Sequence, residues 1–161
     1  AQGRWSVEHV RPQSKCHDAQ AGADPNGWIE ATRRANQRRS NHPLVLWLDG
    51  DDAGDSFTVL HGERHYRPPA SERARLARKW LYMGATHARG CDPPSRAQRA
   101  HMRDIIHLAR VTPVSVVERR VAEAVKEAVG FGNPLILDTD PGRFYDDEEW
   151  ARAIFGDATQ E

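Results

Sequence analysis

Long hydrophobic runs are missing from this 161-residue chain, so no stretch is apolar enough to span a bilayer. Cysteine is scarce. The only two, Cys16 and Cys91, stand outside any Cys-x-x-Cys pair, which excludes a zinc ribbon and a disulfide-dense scaffold. They either pair in an oxidising compartment or stay as free thiols. Net charge is absent too, with 23 basic residues against 23 acidic. There is no internal repeat, no low-complexity tract, and no His-Glu-x-x-His run that would mark a zinc hydrolase. Gly and Pro are too few for long disorder. The length fits a single domain with its own core. No signal peptide is visible, and the chain opens Ala1-Gln2-Gly3-Arg4 without methionine, so a leader or a larger upstream region is expected to have been removed.

The charges that are present are unevenly spread. Residues 1–110 hold 18 basic and 12 acidic side chains, and residues 111–161 hold 5 and 11. A basic front suits a polyanion, and Arg dominates it, whose planar fork can grip two phosphate oxygens. The same split also fits two halves that neutralise each other.

Trp5, Val7 and Val10 frame Glu8-His9 in a segment suited to a short strand, which Pro12 must end. A carboxylate and an imidazole thus stand side by side at a strand end. Neighbours on a strand face opposite ways, so they share a site only if the backbone distorts or a second element closes in. Residues 13–27 read as a loop. Trp28 to Arg39 reads as a short helix with Trp28, Ile29, Thr32 and Ala35 on one side. Leu44 to Leu48 is either a strand or a buried loop, ending at the Asp49-Gly50 turn, and residues 51–56 read as an acidic turn. Phe57 to Leu60 reads as a second strand, and His61 to Ala70 as a connection.

Ser71 then caps a helix to about Ala88, with Leu76, Trp80 and Met83 inside and Arg73, Arg75, Arg78 and Lys79 on the outer face. Ser95 caps the next helix. Ser115 begins a third, to about Val129, with Val117, Val121, Ala124, Val125 and Ala128 inside. Leu135 to Leu137 forms an apolar anchor, and a last helix from about Asp146 packs Trp150, Ile154 and Phe155. Trp47 and Trp80 read as core. The sum is an α+β domain, mostly helical, with a small β element near the front.

Hydrolysis of a phosphodiester with one metal requires hard oxygen ligands, a base for water, and positive charge at the phosphate. Glu8 can supply an oxygen and His9 the base. The segment Ala35-Asn36-Gln37-Arg38-Arg39-Ser40-Asn41 offers an amide oxygen and a guanidinium, although Asn at a helix end is as readily a cap.

Five separated motifs give this set more weight: EHVRPQS at 8–14, NQRRSNHP at 36–43, YRPPASERARLARKWLYM at 66–83, PVSVVERR at 113–120 and GFGNPLI at 130–136. In that order they resemble the bacterial endonuclease I family, within the ββα-metal (His-Me finger) nucleases. The resemblance implies a ββα-metal core over about 5–42 with a helical body over about 71–156, all one nuclease domain from 1 to 161. It implies that Glu8 and Asn36 hold one divalent cation, Mg²⁺, with Mn²⁺ or Ca²⁺ able to replace it in binding, and that His9 activates water. It implies largely sequence-nonspecific cutting of DNA, and often RNA, and a secreted or periplasmic monomer. Arg39 matches the family segment, and either contacts the phosphate or braces the loop. Arg11, Arg33, Arg34 and Arg64 are further phosphate candidates that serve equally well as solvated surface.

The chain departs from the family at Asp24-Pro25-Asn26-Gly27, where members carry Asp-Leu-His-His or Asp-Leu-His-Asn. It is cysteine-poorer, and little chain precedes Glu8. This fits the terminal domain of a larger exported toxin, with an inhibitor or immunity protein as partner. The rival reading is a nucleic-acid-binding module that kept the scaffold and lost turnover. A hydrolase of small phosphodiesters is a third.

Overall fold

The computed structural model describes residues 5–49, 55–88 and 90–156. Residues 51–54 of the acidic turn expected at 51–56 therefore lie outside the described residues, as does the amino-terminal tetrapeptide.

Strand β1 (Trp5–His9) pairs antiparallel with β2 (Trp28–Thr32), Glu8 opposite Ile29 and His9 opposite Trp28. The segment between them is short helical turns, including α1 (Ala19–Ala23), rather than the plain loop expected. The expectation of one helix from Trp28 to Arg39 is corrected: its first five residues are β2 and only Arg33–Arg39 is helix, α2. The β-branched Ile29 and Thr32 and the aromatic Trp28 suit a strand once β1 supplies a partner. Thr32 then turns from strand residue to N-cap, its hydroxyl accepting from the Ala35 N–H.

Leu44 to Trp47 is a buried loop, tied to the second sheet by one bridge at Tyr66. The second sheet is a hairpin, β3 (Ser56–Leu60) and β4 (Glu63–Arg67). The connection expected at His61–Ala70 thus contains a strand. His61 and Gly62 form its two-residue turn with φ of 50° and 77°, the left-handed pair that matches strand twist.

Helix α3 (Ala70–Thr86) is the hub of the body. Its N-cap is Pro69, not Ser71, and Arg73, Arg78 and Lys79 are buried rather than outside. Each buried Arg has carbonyl acceptors: Arg73 donates to Pro68 O and Trp47 O, and Arg78 to Ala109 O and Thr112 O. Ser95 caps α4 (Arg96–Ala100) with a reciprocal bond to Gln98, and the helix breaks at His101 before α5 (Met102–Val111).

Helix α6 (Val116–Val129) begins after Ser115 as expected, but it is rotated. Val117 and Val121 are exposed, as are Ala124 and Ala128, while Glu118 and Ala122 face inward. The cause is Arg78, whose Nε and Nη2 donate to the two Glu118 oxygens at 2.7 Å each. A buried two-pronged ion pair outweighs the burial of two valines in setting the helix face. Short α7 (Pro134–Leu137) and α8 (Gly142–Tyr145) lead to α9 (Glu148–Phe155), which buries Ile154 and Phe155 on α3.

Cys16 and Cys91 form a disulfide. It fastens the turn after β1 to the segment beyond α3, where His17 N and Asp18 N also donate to Gly90 O. A disulfide fits an oxidising compartment. No described helix is long and apolar enough to cross a membrane.

Candidate functional site

Pleating sends Ser6 and Glu8 to one face of β1, and Trp5, Val7 and His9 to the other. Helix α2 closes on the first face. Arg39 is 1% exposed and spends its guanidinium on four acceptors: Glu8 Oε1 at 2.9 Å, His9 O at 2.7 Å, Val10 O at 2.9 Å and His42 O at 2.9 Å. Burial draws the Arg39 guanidinium below its ordinary pKa, and the Glu8 carboxylate counters part of that. Arg39 therefore braces the end of β1 and holds Glu8 in place. Of the two roles the sequence left open, the bonds support the brace. Just past it, Ser40 takes φ of 50°, a costly conformation at the rim of the cleft.

The Asn36 Nδ2 donates to Ser6 Oγ at 3.2 Å and Val7 O at 3.4 Å. A backbone carbonyl only accepts, so the amide nitrogen must be the atom on that side. The Asn36 Oδ1 is left for another partner. His9 Nε2 lies 3.0 Å from Gly22 O, which likewise only accepts. Nε2 thus carries the proton, and Nδ1 holds the free lone pair of the neutral ring. Gly22 O also accepts from Trp28 Nε1 at 3.1 Å, and the two rings meet edge to face with centroids 5.9 Å apart.

Glu8, His9, Asn36 and Arg39 border one open cleft of about 320 Å³ with largely polar walls. A second element answers the demand set by the strand: α2 closes on the Glu8 face, and His9, at the strand's last position, lines the same cleft. Among the described residues no three His, Cys, Asp or Glu side chains gather as a metal cage. The oxygen donors in the cleft are instead one carboxylate, with Arg39 on a single oxygen, the Asn36 amide, and the amides and hydroxyls of Gln13, Ser14, Ser40 and Asn41. That set suits a hard cation that keeps several waters, such as Mg²⁺, and does not suit Zn²⁺.

The remaining basic candidates do not gather there. Arg11 turns inward, with its guanidinium 3.9 Å over the Trp80 ring and Nη2 donating to Trp80 O. It fits because residue 84 is glycine; a Cβ there would collide with Arg11 Nη2. Burial pushes its pKa down to about 9, and its Nε has no partner among the described residues. Buried this way, Arg11 does not face the cleft, which corrects its place among surface phosphate contacts. Arg33 and Arg34 are exposed on α2 but do not border the cleft. Arg64 is exposed on β4, stacked 4.0 Å over Phe57, which Arg38 approaches from 5.8 Å.

The positions 24–27, where the chain departs from the nuclease pattern, are structural. Asp24 is buried and accepts from Tyr82, His87 and Asn26. Burial raises its pKa, but these bonds together hold it below the ordinary carboxylate value. Sequence reading missed Ser6, Trp28 and the Gly22 carbonyl. A backbone carbonyl leaves no trace in residue identity, and the local pattern around Trp28 reads as helix.

No protein-family model matches the chain, and no curated protein matches it either.

Proposed function

We propose that the chain is a metal-dependent, largely sequence-nonspecific endonuclease that hydrolyses phosphodiester bonds of DNA, and of RNA where it is offered. The observation that carries the reading is that Glu8, His9 and Asn36 border one cleft, with the His9 lone pair on Nδ1 unspent. Nδ1 takes the proton of the attacking water, and Nε2–H on Gly22 O keeps the ring in that tautomer. Glu8 and Asn36 are the groups that would hold Mg²⁺, and Arg39 fixes Glu8 for that role. A cation bound there would neutralise charge gathering on the phosphate. The mainly polar cleft suits contact with phosphate and sugar, which carries no sequence information.

The ordered motifs support placing the chain beside the endonuclease I family and its ββα-metal core, and the β1–β2–α2 order is compatible with that core. The disulfide supports a secreted or periplasmic setting. Plasmid nicking in Mg²⁺, with and without EDTA, tests the activity. His9→Ala is expected to slow cutting by about 10²–10⁴-fold. Cutting by His9→Ala at the wild-type rate would refute the assignment.

A second reading, a binding module without turnover, is favoured by the Arg39–Glu8 ion pair, which occupies one of the two carboxylate oxygens. It predicts steeply salt-dependent binding with an intact plasmid in Mg²⁺, Mn²⁺ and Ca²⁺.

A further inference from the structure

A second and larger cavity, of about 620 Å³, opens on the other side of His9. The two cavities share Val7, His9 and Gln13, so they lie side by side at the end of β1. Their chemistry differs. The cleft that holds Glu8 and Asn36 is mostly polar, whereas the larger one has mostly apolar walls and, among the described residues, is lined by no Lys or Arg. Its charged wall residue is Asp18, which repels a phosphate.

Its aromatic wall is Trp28, 37% exposed. The Nε1–H bond to Gly22 O and the edge contact with His9 hold that indole in place, so a ring laid on it meets a surface already ordered. The same sheet face continues outward through Val7 and Trp5, 51% and 65% exposed. Gln13, which lines both cavities, adds an amide able to donate and accept.

We infer that this cavity seats one unpaired nucleobase, stacked on Trp28, next to the phosphodiester held in the polar cleft. The inference rests on the nuclease reading and extends it: the preferred substrate class is single-stranded nucleic acid. A neutral, flat, π-faced group fits a cavity with an indole wall, an amide and a carboxylate. A base within a duplex has both faces covered by its neighbours and must first be unstacked to reach Trp28. Stacking on an aromatic wall is tolerant of base identity, which agrees with cutting that ignores sequence.

The test compares a fluorescently labelled single-stranded oligothymidylate with a duplex of the same length. Cutting is measured in Mg²⁺, and binding by anisotropy in EDTA. Wild type is expected to cut and bind the single strand in preference to the duplex. Trp28→Ala is expected to weaken binding of the single strand by roughly 5- to 100-fold while moving duplex binding little. Trp28→Phe, which keeps a π face and the fold, restores most of the single-strand preference.

Equal losses on both substrates, or none on either, would overturn the base seat while leaving a nuclease that cuts in Mg²⁺ standing. A wild type that neither binds nor cuts either strand form sinks both readings. A Trp28→Ala protein unchanged toward nucleic acid but no longer captured by an immunity protein would assign the face to that partner and overturn the inference.

Discussion

Replacing Arg39 with methionine puts the brace at the end of β1 to a quantitative test. Methionine keeps most of the side-chain volume and removes every donor. Glu8, its side chain 12% exposed, loses its counter-charge, and the carbonyls of His9, Val10 and His42 lose a shared donor. Deleting one partner of a buried ion pair costs about 3–5 kcal/mol. Water in the open cleft reaches Glu8 and holds that part to the low end. The Val10 carbonyl lies where water does not reach, and leaving it unpaired adds about 1 kcal/mol. The total is about 4 kcal/mol. At roughly 2–4 °C per kcal/mol for a chain this long, Tm falls by about 8–16 °C. Urea unfolding with an unchanged m value, read beside thermal melts at pH 7, measures it. Arg39→Lys should recover little, because one ammonium cannot span four acceptors set around a planar fork. A loss below about 1 kcal/mol in Arg39→Met, or full recovery by lysine, would refute the brace and return Arg39 to the pool of phosphate contacts.

Two further outcomes concern stability alone. Cys16 and Cys91 are 75 residues apart, and releasing a loop of that length costs up to about 4 kcal/mol on the chain-entropy account; a Cys16→Ser/Cys91→Ser variant that melts with wild type in urea would contradict it. Burial, aided by Arg75, lowers the Lys79 pKa from 10.5 to about 8. Between those two values the unfolded chain holds the proton that the folded chain has released, so stability should rise with pH across the window. Lys79→Met should flatten that rise, and the slope of urea midpoints from pH 7.5 to 10.5 decides it.

The chemical groups of the candidate site were legible in part: Glu8-His9 stands out beside a strand-ending Pro12, while the local pattern offers both Asn36 and Asn41 among arginines and only the nuclease resemblance implies Asn36. The helix caps at Ser95 and Ser115 were legible because a serine hydroxyl ahead of a helical run accepts from the backbone N–H three residues on, here at Gln98 and Glu118. The β2 strand was not, since Trp28–Thr32 takes extended form only when β1 lies alongside, and a partner some twenty residues away is invisible to a local pattern. The turn of α6 was not either. Five small apolar residues at helical spacing point inward by any periodicity, yet Arg78 on another helix draws Glu118 in and leaves Val117 and Val121 to solvent.

Composition and motif order alone thus determined the class of elements, the absence of a membrane-spanning run, and the residues with chemistry to offer. Only the tertiary structure decided which of them meet. It took Arg11 out of the cleft by giving its guanidinium the Trp80 face, and spent Arg39 on holding β1. It fixed the free nitrogen of His9 through a carbonyl that has no sequence signature. The physical reason is that type and spacing set what a side chain can do, while burial and the choice of partner, which are settled across the whole chain at once, set what it does.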